Sequence, residues 1–176
     1  YTFTLRKGVK FHTTKFFTPT RDFNADDVVF TLDRMFNTQN AFRKANPAEF
    51  PYAVDTGMAE NVAKVEKVDD YTVKMTMKKP DPDVTIKIAM PSFSILSAEY
   101  AGKLSKEGKA NMLNQEPVGT GPFVFERYQK DAQIRYSANK QYWKAGQPKV
   151  DNLVFAITTD AAVRFQKMKA GECHIM

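Results

Sequence analysis

Phe23-Asn24-Ala25-Asp26-Asp27-Val28-Val29-Phe30-Thr31-Leu32-Asp33-Arg34 is the stretch from which the fold of this 176-residue chain is best read. Asn24 is a strong helix N-cap, because its side-chain oxygen can accept from a free N–H of the first turn. Asp26 and Asp27 place carboxylates where the helix dipole favours negative charge. Phe23 before the cap and Val28 at the fourth helical position are spaced for a hydrophobic staple. Val28, Val29, Leu32, Met35 and Phe36 recur at helical spacing and form one apolar face. The spacing predicts a helix over 25–37, and the acidic pair reads as capping rather than chemistry.

That apolar face needs a partner, and the sequence on either side offers one. Val62 to Val68 and Tyr71 to Lys78 read as paired strands across an Asp69-Asp70 turn. The second alternates Tyr71, Val73, Met75 and Met77 with Thr72, Lys74, Thr76 and Lys78, which predicts a sheet with one buried and one wet face. Tyr1 to Phe11 reads as an edge hairpin turning at Lys7-Gly8. Between helix and strands, Phe42, Arg43, Phe50 and Tyr52 surround Asn46-Pro47 and Pro51 without a sustained period, as in a loop with an irregular helical turn. Beyond Pro80 and Pro82, a short helix is expected over Asp83 to Ala89, then an apolar loop or short strand from Met90 to Leu96. Ser97 can cap a helix that stops at Gly108, and another short helix is expected over Ala110 to Asn114.

The character changes near Pro117. Phe123 to Tyr128 and Ala132 to Ser137 read as strands, and Asn139 to Trp143 as a turn of helix. Val150 to Ile157 is a continuous apolar run of the kind buried on both faces. Thr159 or Asp160 caps a last helix bearing Ala161, Phe165 and Met168, closed by Gly171, and an apolar segment follows at Cys173 to Met176. This ending reads as one βαβ crossover. The fold class is therefore mixed α/β. Because the chain opens on a strand pattern and stops within another, it is expected to be part of something longer.

Composition excludes more than it assigns. The net charge of +6 comes from 26 Lys and Arg against 20 Asp and Glu, dispersed along the chain, with the densest patch at Lys74, Lys78, Lys79 and Lys87. No basic stripe accompanies the aromatic residues, so nucleic acid is not an expected partner. No apolar run approaches the roughly 20 residues of a membrane-spanning helix. His12, His174 and Cys173 are too few for a zinc site, and His12 is placed on a strand-like surface segment in a structural or solvent-facing role. Cys173 and His174 are adjacent, so on a strand they face opposite ways and make a poor nucleophile–base pair. Gly119-Thr120-Gly121-Pro122 lacks the Lys and Ser/Thr of a phosphate loop, and Pro122 removes a donor, so it reads as a tight backbone turn. The residues alone predict an α/β protein without a catalytic set, cofactor or metal. Its one cysteine cannot form an internal disulfide.

Four stretches together resemble the family 5 extracellular solute-binding proteins, receptors of ABC importers for dipeptides, oligopeptides, nickel and haem. They are Tyr1 to His12; Phe23 to Arg34; Pro117-Val118-Gly119-Thr120-Gly121-Pro122-Phe123; and the run from Asn139 through Tyr142-Trp143 and Val150 to Phe155 to Asp160-Ala161-Ala162-Val163-Arg164 and Lys169-Ala170-Gly171-Glu172-Cys173. Phe17 to Arg21 and Ala132 to Tyr136 are most similar to the dipeptide and haem branch. Phe50-Pro51-Tyr52 and Ser97 to Ala101 also resemble a relative linked to antimicrobial-peptide uptake.

The resemblance implies part of a type II-like periplasmic binding fold, with residues 1–116 as most of an extra domain and 117–176 as part of the first main lobe. It implies a monomeric periplasmic receptor, free or lipid-anchored, that takes short peptides, dipeptides first, and delivers them to a membrane permease. Haem or an antimicrobial peptide is the alternative ligand. It places Phe42, Arg43, Phe50 and Tyr52, and the loop residues Ser92, Phe93 and Ser94, near the ligand. Nickel-binding members carry arginines in both segments, whereas this chain has Arg43 in the first and Ser94 near the second such position. The resemblance also implies that Cys173 bridges to a cysteine outside this chain.

Overall fold

Local signals and long-range contacts meet first in the helix α1, Ala25–Phe36, in the computed structural model, which describes residues 1–175. The Asn24 side chain accepts from Asp26 N–H, and the Asp27 side chain accepts from Asn24 N–H, a reciprocal cap that fixes where the helix starts. Val28, Leu32 and Met35 then face a three-stranded antiparallel sheet of β1 (Thr2–Thr4), β2 (Val62–Asp69) and β3 (Thr72–Met77), in the order β1-β3-β2. Val73 and Met75 of the central strand are fully buried under α1 together with Met58, Val84 and Phe93. The alternation predicted for β3 is thus the alternation observed.

The predicted hairpin over Tyr1 to Phe11 does not form. Phe3 pairs with Val73, and Thr2 with Lys74, so β1 is an edge strand added to a distant partner. Gly8 turns with φ +72°, as the Lys7-Gly8 reading expects. After it the chain does not return along β1, because Val9 and Phe11 are buried elsewhere. The residues read as a loop over 39–52 contain one short helix and the start of another, α2 (Ala41–Ala45) and α3 (Pro51–Asp55), and α4 (Met58–Asn61) follows. The short helix predicted after Pro82 is α5 (Val84–Ile88), and Pro91–Phe93 forms a 3₁₀ turn rather than a strand. Ser97 caps α6 (Ala98–Lys106) by accepting from Tyr100 N–H at 3.1 Å. A second apolar cluster joins Tyr100, Ala101 and Leu104 of α6 to Phe11, Phe17, Leu113 and Val118.

A second antiparallel sheet holds β4 (Phe123–Gln129), β5 (Gln133–Ala138) and β6 (Asn152–Ala156), with β5 central. The predicted helical turn at Asn139 to Trp143 is a turn without a helix, closed by Tyr142 N–H donating to Asn139 C=O. β6 is not buried on both faces: Val154 is exposed, and Phe155 is 53% exposed. Among the described residues it has a ladder on one edge only, and α7 (Ala161–Lys169) leaves Val163, Phe165 and Met168 exposed rather than packing over the sheet. Asp160 supplies the cap of α7, and Gly171 turns the chain at φ +75°. Among the described residues no strand follows α7, so the βαβ closure is not seen, and Met176 lies outside them. No helix among the described residues is long and apolar enough to cross a membrane.

Two contacts tie the sheets together. His12 N–H donates to Gly119 C=O at 2.8 Å, and its ring nitrogens meet Gly121 C=O at 2.9 Å and Gly119 N–H at 3.4 Å. Arg6 stacks on Trp143 at 4.2 Å. His12 is therefore buried, at 6% exposure, and not on a surface segment. Gly119 and Gly121 act as its backbone partners. Within the first unit, Asp27 joins α1 to α6: fully buried, it accepts from Arg21 at 2.7 and 2.8 Å, from Asn24 N–H at 3.0 Å and from Ala98 N–H at 2.8 Å.

Removing a buried partner of a hydrogen-bonded ion pair strands what it satisfied, so Asp27→Ala is expected to cost about 3–5 kcal/mol. Asp26→Ala, one residue away and exposed, should cost about 1 kcal/mol or less, and urea-unfolding midpoints compare the two. Burial lowers the His12 pKa below its ordinary value, against the bond to Gly121 C=O, which raises it. The unfolded chain then binds the proton more readily, so stability is full above about pH 6.5 and falls as pH drops through the lowered folded value. The unfolding midpoint should fall between about pH 7.5 and about pH 5, and a His12→Asn variant should lose that slope. The lowered carboxylates Asp69, Asp81 and Asp151 act only at more acid pH, below about pH 4.

Candidate functional site

The end of α1 and the two short helices after it assemble a group of rings and guanidinium ions. Asn40 caps α2 by accepting from Arg43 N–H, and its amide donates to Asp33 of α1 at 2.6 Å, which locks α2 against α1. Arg43 then donates to Met35 C=O at 2.8 Å, satisfying a terminal carbonyl of α1. Phe42 meets Phe30 edge-on at 5.4 Å. Phe50, at the start of α3, lies under two cations: the Arg34 guanidinium at 5.2 Å and that of Arg43 at 5.0 Å from its ring centre. Arg34 also lies 5.5 Å from the Phe42 ring.

Arg34 is the unbalanced member. Its residue is 3% exposed, and its Nε has no hydrogen-bond partner. No carboxylate pairs with it or with Arg43 among the described residues. Burial lowers its pKa, and the charge of Arg43 lowers it further. Stacking on an aromatic ring contributes about 0.5–2 kcal/mol per contact, and the C-terminal end of a helix about 0.3–1 kcal/mol. Withdrawing an ion from water costs several kcal/mol, so these contacts offset only part of it. A planar fork of donors held this way suits a carboxylate.

The second expected segment is divided by the fold. Phe93 is buried in the first core, 6.1 Å from Phe36, so its ring holds the loop in place rather than facing outward. The Ser92 hydroxyl is buried without a partner, and Ser94 is exposed and donates to Pro91 C=O at 2.7 Å. Tyr52, 55% exposed on α3, makes no ring contact with the cluster among the described residues. Of the expected residues, then, the structure gathers Phe42, Arg43 and Phe50 and adds Arg34. In the sequence, Arg34 reads only as part of α1. The signal for it was its spacing: Asp27, Thr31 and Arg34 stand at i, i+4 and i+7 beside the apolar stripe, and all three are buried. An open groove elsewhere, between Phe16 and Met112 and the ring-bearing face of Phe125, Tyr136 and Ile157, holds none of the expected residues. Cys173 is a half-buried free thiol. Among the described residues no group of three His, Cys, Asp or Glu could hold a metal.

A helix-covered sheet, joined to a second sheet through His12 and the glycine-rich turn and carrying a cationic and aromatic cluster without a carboxylate partner among the described residues, has the features of a ligand-binding module. The chain belongs to the bacterial extracellular solute-binding proteins, family 5, whose middle-region model matches residues 1–176. It is 61% identical over 175 residues to the di/tripeptide-binding protein 1 of Pseudomonas aeruginosa (strain UCBPP-PA14), covering 99% of this chain and 33% of that protein. Heme-binding protein A of Haemophilus influenzae is 47% identical over 176 residues, covering 100% of this chain and 32% of that protein. The crystal structure of a dipeptide binding protein from Pseudoalteromonas sp. SM9913 in complex with Met-Leu superposes with a TM-score of 0.91 at 39% identity, covering 98% of this chain and 34% of that one. The chain thus spans about a third of the length of the relatives it matches.

Because Phe50 serves both guanidinium ions, Phe50→Leu keeps apolar volume but removes the stacking face and is expected to cost about 1–2 kcal/mol. Tyr52→Ala, on the exposed side of the same helix, should stay within about 0.5 kcal/mol, and chemical denaturation of the two variants tests the contrast.

Proposed function

We propose that this chain is the central part of a periplasmic receptor that binds short peptides, dipeptides first, and delivers them to the permease of an ABC importer. The observation that carries the reading is the 61% identity to a di/tripeptide-binding protein, maintained across 99% of the chain. Residues 1–116 correspond to an extra domain beside the first main lobe, and 117–176 to a part of that lobe. The exposed apolar residues of β6 and α7, among them Phe155, Phe165 and Met168, support this division, because a half-covered sheet and an uncovered helix call for further layers. The mechanism is closure of lobes around the solute and sequestration rather than chemistry. Phe42, Arg43, Phe50, Tyr52, Ser92 and Ser94 line or border the cleft, with Phe93 holding the second segment from behind. Cys173 pairs with a cysteine of the remaining receptor, in keeping with an oxidising compartment.

A second reading, haem or another large apolar ligand such as an antimicrobial peptide, is favoured by the 47% identity to heme-binding protein A. Native mass spectrometry of the full-length receptor separates the two, followed by calorimetry with a dipeptide panel. Small heterogeneous added masses and dipeptide binding are expected. One discrete mass with a Soret band turns the assignment to haem, and no peptide binding at all sinks the peptide reading.

A further inference from the structure

The sheet β1-β3-β2 carries α1 and its apolar cluster on one face only. Directly paired residues of an antiparallel ladder share a face, so the register identifies the residues of the other. Lys74 of β3 stands between Thr2 of β1 and Glu66 of β2, and Thr76 is paired with Lys64. Thr2, Lys64, Lys74 and Thr76 are all exposed, so among the described residues nothing is layered on this face. Lys78 and Lys79, also exposed, follow at the end of β3.

The fold redraws the basic patch that stands out in the sequence. Lys87 leaves it, held by Asp81 at 2.7 Å, and Lys64 joins it across the ladder. Acidic groups of the same unit are engaged elsewhere: Asp22 by Lys10, Asp27 by Arg21, Asp26 and Asp70 by Lys67. Asp69 lies at the turn end of the face, where it accepts from Tyr71 N–H at 2.7 Å. Towards the other end Glu66 meets Lys64 at 2.9 Å. No carboxylate pairs with Lys74, Lys78 or Lys79 among the described residues. Water accepts an antiparallel sheet face with charges of both signs mixed, so this separation of sign calls for another cause.

We propose that the lysine-bearing half of this open sheet face docks on an anionic phospholipid membrane. The threonines between the lysines are short, so the ammonium groups extend beyond a flat floor and reach a planar array of phosphates together. An acidic protein offers the same charge, but this half-face lacks the aromatic or aliphatic anchor around which protein interfaces are built. Each lysine held at an anionic surface strengthens binding about fivefold, so the attachment is weak, reversible and sensitive to salt. Such attachment concentrates a receptor beside a membrane-embedded permease without holding it there. That use rests on the receptor reading above; the membrane contact itself does not.

The test is co-sedimentation of the full-length receptor with vesicles of phosphatidylcholine, alone or with about a third phosphatidylglycerol, at low and high salt. Wild type is expected to bind the anionic vesicles at low salt, to leave them at high salt, and to ignore phosphatidylcholine alone. Lys74→Gln with Lys78→Gln should weaken that binding about tenfold or more. Lys15→Gln with Lys106→Gln removes equal charge beside the second apolar cluster and should change it by less than about twofold. All four positions are exposed, so thermal unfolding of both variants should match wild type. Lys64→Gln with Lys79→Gln gives the same reading if the first variant does not fold. Equal losses in the two double variants overturn the site, because overall charge then governs binding. No preference of wild type for phosphatidylglycerol overturns the membrane partner. Weaker capture of the Lys74 and Lys78 variant by the solubilised permease in that case gives the face to an acidic protein instead. Dipeptide affinity is expected to be unchanged in every variant, so failure of the peptide reading stays separate from failure of this one.

Discussion

The Asp27 carboxylate is the constraint on which the rest of the first unit depends. It sits at the third position of α1 and is fully buried, so its charge must be matched inside the protein. Arg21 matches the charge with two hydrogen bonds, and thereby fixes the loop that precedes the helix. The remaining acceptor capacity goes to Asn24 N–H, which starts α1, and to Ala98 N–H, which starts α6. One side chain thus sets the origins of two helices, reaching a backbone N–H 71 residues further along the chain, and orients them about a common point. The two apolar clusters lie on either side of this junction, α1 contributing to the first and α6 to the second. Hydrophobic burial holds each cluster together, while the carboxylate fixes how one sits against the other.

Elements governed by neighbours in sequence were legible, and elements governed by distant partners were not. Asn24, Asp27 and the spacing of Val28, Leu32 and Met35 act within one or two turns, and α1 is observed within one residue of its predicted end. The alternation of Val73 and Met75 gave the buried face of β3 for the same reason. The first strand failed as a hairpin because its partner is β3, some 70 residues away, and no local pattern encodes that pairing. β6 failed in a different way. Its apolar run states correctly what the strand requires, a layer on each face, but the described residues supply no such layer, so Val154 and Phe155 stay exposed. The sequence reported a demand that this stretch of chain does not itself meet.

The site follows the same division. Family resemblance points to Phe42, Arg43 and Phe50, and the fold brings them together because Asn40 ties α2 to Asp33 and Arg43 closes the end of α1. Arg34 does not stand out in the sequence, because a basic residue in the last turn of a helix has a sufficient local explanation in the helix dipole. Only the rings on one side and the missing acceptor on the other distinguish it, and both are properties of packing.

The joint between the sheets combines rigidity with dependence on a single neutral ring. Gly121 C=O meets His12 on one side and accepts from the Asn139 amide on the other, at 2.9 Å each, so the glycine-rich turn is held from both sheets. Gly119 completes the arrangement by presenting its N–H to the imidazole while its C=O receives His12 N–H. A side chain at position 119 would meet the ring at 3.7 Å, ordinary contact, so space alone does not demand glycine there. The required feature is the backbone path, which brings a donor and two acceptors to one buried histidine. A ring that accepts from Gly119 N–H through one nitrogen and donates to Gly121 C=O through the other has one tautomer, and a second proton costs it the contact with Gly119 N–H. The segment that reads in sequence as a simple turn is, in the folded chain, the fastening between the helix-covered sheet and the sheet whose far strand remains uncovered.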